Sequence, residues 1–144
     1  MEPSAPTDRP FTILVADDAG ESRQLLARLL QRFTRGRMFL SIVEVRDGAQ
    51  ALSAFRAYSP RLVFLDLDMP EMDGLSVLRE IRTLDDRAFI VIVSGVSSAK
   101  NVNEALALGA GAFVVKPYSA RRIIGVVQKY EKHCGQALLT HDEE

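Results

Sequence analysis

The sequence predicts an α/β domain in which a five-stranded parallel sheet is covered by helices on both faces. Five short apolar runs, rich in β-branched residues, have the length of buried strands. Each run is followed by a segment whose apolar residues have helical spacing, so strands and helices alternate strictly. Such alternation is typical of parallel sheets with right-handed crossovers. The 144 residues are enough for one domain with a substantial core.

The individual elements follow from local signals. The predicted strands are residues 11–16, 40–45, 62–66, 89–93 and 112–115. The predicted helices are one after Asp17-Asp18 that Gly36 stops, a short one around Ala51 to Phe55, and residues 74–83, 98–108 and 119–134. The fourth helix is polar and poor in helix formers near its start, so we expect it to be short or mobile.

The two termini are predicted to lie outside the folded domain, which we place at residues 11–134. Residues 1–10 contain three prolines and no periodicity, which predicts a disordered lead-in. Residues 135–144 have no clear packing partner, and we expect this tail to be frayed.

Composition excludes several classes of function. Hydrophobic residues make up 47% and charged residues 26%, which is ordinary for a soluble globular protein. The net charge of −1 predicts no direct binding to nucleic acid. No apolar run approaches the roughly 20 residues that span a membrane. A single cysteine, Cys134, excludes a disulfide framework and a thiolate metal cluster, which fits a cytoplasmic location.

The stretch Leu62 to Gly74, LVFLDLDMPEMDG, is the most informative part of the chain. A buried strand ends on Asp66, and Pro70 with the pair Asp73-Gly74 then forms a loop. Ligands of open parallel sheets bind beyond the carboxyl ends of the strands. Asp66 is therefore a candidate to act on a ligand.

Polar residues also follow three other strands. Asp17 and Asp18 end the first strand, Ser94 the fourth and Lys116 the fifth. Because the carboxyl ends of parallel strands share one edge, we expect these side chains to converge with Asp66, although roughly 100 residues separate the first from the last.

This set of side chains favours magnesium-assisted phosphoryl chemistry. Clustered carboxylates repel one another unless a cation joins them, and Mg²⁺ prefers oxygen ligands. With the metal present, Asp66 could stay ionised and attack phosphorus as a nucleophile, giving an aspartyl phosphate. Ser94 and Lys116 could then hold the phosphoryl oxygens.

Each of these residues also has an ordinary structural interpretation. Asp18 with Glu21 three positions later fits a capping box for the first helix. Ser94 could cap the turn that follows it. Lys116 could be a solvated surface lysine, and Asp17 could be exposed. The coincidence at four strand ends favours a site.

The chain resembles the receiver domain of two-component response regulators over about residues 11–133. The matching segments are Asp17-Asp18 with Arg23, Asp66 in LDLDMPEMDG, Ser94-Gly95, and GAGAFVVKP ending at Lys116-Pro117. The resemblance implies a flavodoxin-like (βα)5 three-layer sandwich with strand order 2-1-3-4-5. It also implies a stand-alone signalling domain, or a fragment of a longer protein, that catalyses only its own phosphoryl transfer and autodephosphorylation.

The resemblance further implies roles for individual residues. Asp66 is the phosphoacceptor, and Mg²⁺ is held by Asp18 and Asp66, by Asp17 largely through water, and by the backbone carbonyl of Asp68. Ser94 and Lys116 bind the phosphoryl group. Phe113 is the aromatic switch residue that acts with Ser94. The Lys116-Pro117 peptide bond is cis in relatives, as proline permits.

The expected partners also follow from the resemblance. The phosphoryl donor is a sensor histidine kinase or a phosphotransfer protein. The face formed by the fourth helix, the fifth strand and the fifth helix then binds a downstream protein or a second copy of the chain. Our candidates for exposed partner residues on this face are Val96, Lys100, Val114, Tyr118 and Arg122.

Three other classes of protein remain as alternatives. Asp66 and Asp68 form the DxD arrangement of haloacid-dehalogenase-type phosphatases, although Pro70 departs from that pattern and the chain has no room for the further metal motif. A receiver-like module that never needs phosphate would not require the complete acid set. A flavin carrier of the related fold would need a phosphate-binding loop after the first strand, which the sequence lacks.

Overall fold

The computed structural model of the protein describes residues 11–34, 40–69, 71–95, 99–135 and 137–139. The predicted lead-in, residues 1–10, and the predicted helix stop at Gly36 lie outside these described residues. The described chain has five strands and five helices in alternation. None of its helices is long and apolar enough to cross a membrane.

The observed elements match the predicted ones closely. The strands are β1 (Phe11–Ala16), β2 (Leu40–Val45), β3 (Leu62–Asp66), β4 (Phe89–Ser94) and β5 (Ala112–Val115). The helices are α1 (Gly20–Phe33), α2 (Gly48–Tyr58), α3 (Gly74–Leu84), α4 (Ala99–Ala107) and α5 (Ala120–Cys134).

All five strands are parallel, and their order is β2-β1-β3-β4-β5, which confirms the predicted topology. The central strand β3 is buried along its whole length. Its alternate residues face two different layers: Leu62 and Phe64 pack with α1 and α5, whereas Val63 and Leu65 pack with α2 and α3. Asp66 is therefore held by a strand that is fixed on both faces.

The helix N-termini differ in how they are capped. Asp47, Asp73 and Ser119 each accept a backbone N–H bond at the start of α2, α3 and α5. The N-cap of α1 is Ala19, which makes no side-chain capping bond. Because Ala19 and not Asp18 is the N-cap, the capping box that Asp18 and Glu21 could have formed is absent.

The C-terminal tail is not frayed at Leu138 and Leu139, contrary to the prediction. Their side chains are only 3% and 4% exposed and belong to the core on the α1–α5 side of the sheet. Gly135, with a φ of 68°, reverses the chain after α5. The Glu131 carboxylate then accepts the backbone N–H groups of Leu138 and Leu139 at 2.6 and 2.7 Å. The fold of the described chain thus extends past residue 134.

Candidate functional site

Three carboxylates meet at the carboxyl edge of the sheet. The register pairs Ala16 with Leu65, so the residues that follow β1 lie beside the end of β3. Asp17, Asp18 and Asp66 each place a carboxylate oxygen within 4.8 Å of the other two. Asp17 and Asp66 are 1% exposed, and Asp18 is exposed. Asp17 is therefore buried, which rules out its alternative interpretation as a solvated residue.

Lys116 joins the two buried acids. Its Nζ lies 3.0 Å from Oδ2 of Asp66 and 3.1 Å from Oδ2 of Asp17. Lys116 follows β5, and its backbone N–H donates to the carbonyl of Ser94 at 2.8 Å, which fixes the start of this loop. The lysine is thus part of the acidic site and is not a freely solvated surface residue.

The electrostatics of the site leave negative charge uncompensated. Burial raises the pKa of Asp66 from 3.8 to about 6, against the lowering effects of the Asp68 N–H and of Lys116, and Asp17 adds to the rise. Burial acts to lower the pKa of Lys116, but its hydrogen bonds to Asp66 and Asp17 raise that pKa above the ordinary value. A lysine that stays charged therefore only partly offsets two buried carboxylates, and a cation would stabilise their ionised forms.

The loop after β3 is held close to α3. The N–H of Leu67 donates to the carbonyl of Val93 at 2.9 Å, and the N–H of Gly74 donates to the carbonyl of Leu67 at 3.1 Å. A Cβ on Gly74 would lie 2.5 Å from the Asp66 carbonyl oxygen, so only glycine fits at this position. The two hydrogen bonds and the close approach of Gly74 together fix the backbone at Asp66, the candidate nucleophile.

Ser94 and Asp68 are in direct contact. Ser94 is completely buried, and its Oγ donates to Oδ2 of Asp68 at 3.0 Å. The backbone N–H of Asp68 donates to Oδ1 of Asp66 at 2.9 Å. Asp68 therefore links Asp66, through its backbone, to Ser94, through its side chain. The predicted role of its carbonyl oxygen as a metal ligand stays a prediction.

Two further side chains, those of Tyr118 and Arg23, contact Asp17, and the Ala19 backbone N–H donates to its Oδ1 at 2.9 Å. The Tyr118 hydroxyl donates to Oδ2 of Asp17 at 3.3 Å, and burial together with Asp17 raises the pKa of Tyr118, so the hydroxyl stays protonated. Arg23 donates to the Asp17 carbonyl at 2.9 Å and pairs with Glu44 at 3.2 Å. Sequence reasoning noted Arg23 only as part of a resemblance and gave it no role. The contact of Tyr118 with Asp17 has no signal in the sequence, from which Tyr118 is predicted to lie on the exposed partner face.

The predicted partner face needs two corrections. Tyr118 is 9% exposed and Val114 is fully buried, so neither is an exposed partner residue. Val114 shares a strand face with Ala112 and packs toward α5, because alternate residues of β5 face opposite layers. Arg122 is exposed as predicted. Val96 lies outside the described residues, as does the side chain of Lys100.

The remaining predicted switch features can also be located. Phe113 is half-buried and packs against the layer that contains α2, α3 and α4. The Lys116–Pro117 peptide bond is cis, which is the geometry that the resemblance implies. Phe113 thus lies on β5, on the sheet face that packs against the layer of α2, α3 and α4, and it pairs with Ile92 of β4.

Comparison with known proteins gives the family. Residues 13–128 match the sequence model of the response regulator receiver domain family. The chemotaxis protein CheY of Bacillus subtilis is 36% identical over 117 residues, which are 81% of this chain and 94% of that protein.

Solved structures agree with this match. The receiver domain of NtrX from Brucella abortus superposes with a TM-score of 0.74 at 32% identity, covering 87% of this chain and 99% of that one. The CheX–CheY–BeF3–Mg complex from Borrelia burgdorferi matches with a TM-score of 0.74 at 27% identity, covering 84% and 89%.

The chain belongs to the response regulator receiver domain family. It is a phosphorylation-dependent signalling module of the two-component type, with an acidic pocket formed by Asp17, Asp18 and Asp66. The family match decides against the haloacid-dehalogenase-type phosphatase that the Asp66-Leu67-Asp68 pattern left open.

Proposed function

We propose that the protein receives a phosphoryl group on Asp66 from a histidine kinase or a phosphotransfer protein and passes the signal on through a changed protein surface. The observation that carries this proposal is the position of Asp66, a buried carboxylate at the end of the central strand, within 4.8 Å of two other acids and 3.0 Å from Lys116. Asp17 shares the burial, the acidic cluster and the contact with Lys116, so the position at the end of the central strand β3 is what singles out Asp66.

The residues present fit Mg²⁺. Asp17, Asp18 and Asp66 offer only hard carboxylate oxygens, which suit a small divalent cation. Asp18 and Asp66 would hold the ion, Asp17 would act largely through water, and the Asp68 carbonyl would complete the protein ligands. When bound, the ion supplies charge neutralisation at the phosphoryl oxygens. The raised pKa of Asp66 supports the need for such a cation.

The transfer step uses side chains that are already in place. A carboxylate oxygen of Asp66 attacks phosphorus, an O–P bond forms as the P–N bond of the donor phosphohistidine breaks, and the leaving imidazole nitrogen takes up a proton. The Lys116 ammonium, 3.0 Å from Asp66, is placed to neutralise charge on the transferred group. The Ser94 hydroxyl would donate to another phosphoryl oxygen. Hydrolysis of the acyl phosphate by water would end the signal.

The output would follow from movement around Ser94 and Phe113. Drawing the Ser94 hydroxyl toward the phosphoryl group would shift the end of β4, and the half-buried Phe113, which pairs with Ile92 of that strand, can then move inward. The face of α4, β5 and α5 would then bind a downstream protein or a second copy of the chain. Because Phe113 is already half-buried, burying the rest of its ring is worth about 1 kcal/mol, which shifts a two-state equilibrium about fivefold.

The test is phosphorylation by a small donor. Incubation with acetyl phosphate and Mg²⁺ is expected to add the mass of one phosphoryl group, and the adduct should be lost in Asp66→Asn and in EDTA. Asp73→Asn is the matched control, because Asp73 is an exposed acid of the same loop that only caps α3. An adduct that persists in Asp66→Asn would show that another residue is the acceptor.

A further inference from the structure

The Ser94 hydroxyl already has an acceptor within the site. It lies on the last residue of β4, is completely buried, and donates to Oδ2 of Asp68 at 3.0 Å. Asp68 itself is exposed and is anchored by its backbone N–H, which donates to Oδ1 of Asp66. One residue therefore connects the nucleophile candidate to the hydroxyl that a phosphoryl group on Asp66 would need.

A serine hydroxyl has one proton and can donate it to one strong acceptor at a time. A phosphoryl group on Asp66 and the Asp68 carboxylate would therefore compete for the Ser94 proton. We propose that Asp68 is a positioning residue that holds Ser94 in the unphosphorylated state and thereby sets how far phosphorylation moves the switch. This inference rests on the function proposed above.

The charge of Asp68 decides the strength of this restraint. An ionised acceptor makes a hydrogen bond roughly twice as strong as a neutral one. Asp68→Asn keeps the size and shape of the side chain but leaves a neutral carbonyl oxygen as the acceptor. Ser94 should then be released more readily to the phosphoryl group. The same change also removes repulsion between two anions, so the test must separate the two effects.

Beryllofluoride with saturating Mg²⁺ is the probe, and its affinity is measured for the wild type, Asp68→Asn, Ser94→Ala and the double variant. We expect Asp68→Asn to tighten binding by about three- to tenfold, as for the weakening of one hydrogen bond to a charged group. In the Ser94→Ala background the gain in affinity should be at least roughly threefold smaller, a difference that a double-mutant cycle detects as coupling between the two residues. In the Ser94→Thr background, which keeps the hydroxyl, Asp68→Asn should tighten beryllofluoride binding as much as it does when Ser94 is present.

A second readout needs neither metal nor phosphoryl mimic. In EDTA, the Cβ chemical shift and the side-chain couplings of Ser94 should report one rotamer in the wild type and rotamer averaging in Asp68→Asn. Asp73→Asn, an exposed acid of the same loop, should leave the Ser94 signals unchanged.

The outcomes separate the two proposals. Equal tightening by Asp68→Asn with and without the Ser94 hydroxyl would mean that anion repulsion alone acts, and this overturns the inference while the proposed function stands. Identical Ser94 rotamers in the wild type and in Asp68→Asn would also overturn it. A wild type that does not bind beryllofluoride would overturn the proposed function and the inference together.

Discussion

The two ends of the sheet are built from opposite kinds of side chain. At the carboxyl end, Asp17 and Asp66 are buried with incomplete charge compensation, and Asp66 has a raised pKa. At the amino end, where β1 and β4 begin, Phe11 and Phe89 pack against Tyr130 with ring centroids 5.9 and 5.8 Å apart. The tail residues Leu138 and Leu139 belong to the same apolar core.

The difference shows how one domain separates stability from function. Burying a carboxylate destabilises the folded state unless a cation or proton joins it, so the carboxyl end gains stability only when its ligand binds. Aromatic and aliphatic burial at the amino end stabilises the fold with no ligand. Gly111 supports this packing, because a Cβ there would lie 2.5 Å from the Phe89 ring.

The largest effect is expected at the amino end. Leu138→Ala should lower the free energy of unfolding by about 3 kcal/mol, because it leaves a cavity where a leucine is 3% exposed. Urea unfolding measures the change. Leu106→Ala is the control, since Leu106 is 51% exposed and its loss should change stability by less than about 0.5 kcal/mol.

The same variant tests whether the two ends are independent. Leu138→Ala should bind beryllofluoride and Mg²⁺ with the affinity of the wild type. Equal destabilisation by the two leucine variants would mean that the tail does not contribute to the core.

At the carboxyl end the opposite sign is expected. Asp66→Asn should raise the free energy of unfolding of the metal-free protein near neutral pH by on the order of 2 kcal/mol, because it removes a buried charge. The pKa of Asp66 is about 6 in the folded protein against the ordinary 3.8. Between these values the folded state binds more protons than the unfolded chain. The contribution of Asp66 to stability is therefore fully present below pH 3.8 and is lost as the pH rises through about 6.

Urea unfolding in EDTA at a series of pH values through this window measures that effect. The difference in stability between Asp66→Asn and the wild type should grow with pH. Asp86→Asn, which changes an exposed acid of the α3–β4 loop, is the control and should change the free energy of unfolding by less than about 0.5 kcal/mol. A stability difference for Asp66→Asn that does not change with pH would show that burial of Asp66 does not destabilise the fold.

The two ends also differ in how many of their contacts can be predicted from the sequence. Asp17, Asp66 and Lys116 could be predicted to converge because each directly follows an apolar run, and strand ends of a parallel sheet share an edge. The contact between Tyr118 and Asp17 could not be predicted from the sequence, because it depends on the path of the loop after β5. Sequence periodicity says nothing about such a path.

The tail shows the same limit. Leu138 and Leu139 are two apolar residues with no periodic neighbours, which reads locally as an unstructured end. Their burial depends on the reversal at Gly135 and on Glu131, a residue seven and eight positions away that satisfies their N–H groups. A side chain that accepts backbone N–H groups from a later loop does so only in the folded chain, and it leaves no periodic pattern in the sequence.

The smallest expected effect concerns this connection. Glu131→Gln should lower the free energy of unfolding by about 1 kcal/mol, because a neutral amide oxygen replaces a carboxylate that accepts two backbone N–H groups. Urea unfolding gives the stability, and amide exchange of Leu138 and Leu139 should become faster than in the wild type. Glu80→Gln, at an exposed acid of α3, is the matched control and should change neither quantity. If Glu131→Gln left both amides as protected as before, apolar burial alone would hold the tail, and the carboxylate would have no part in extending the fold beyond α5.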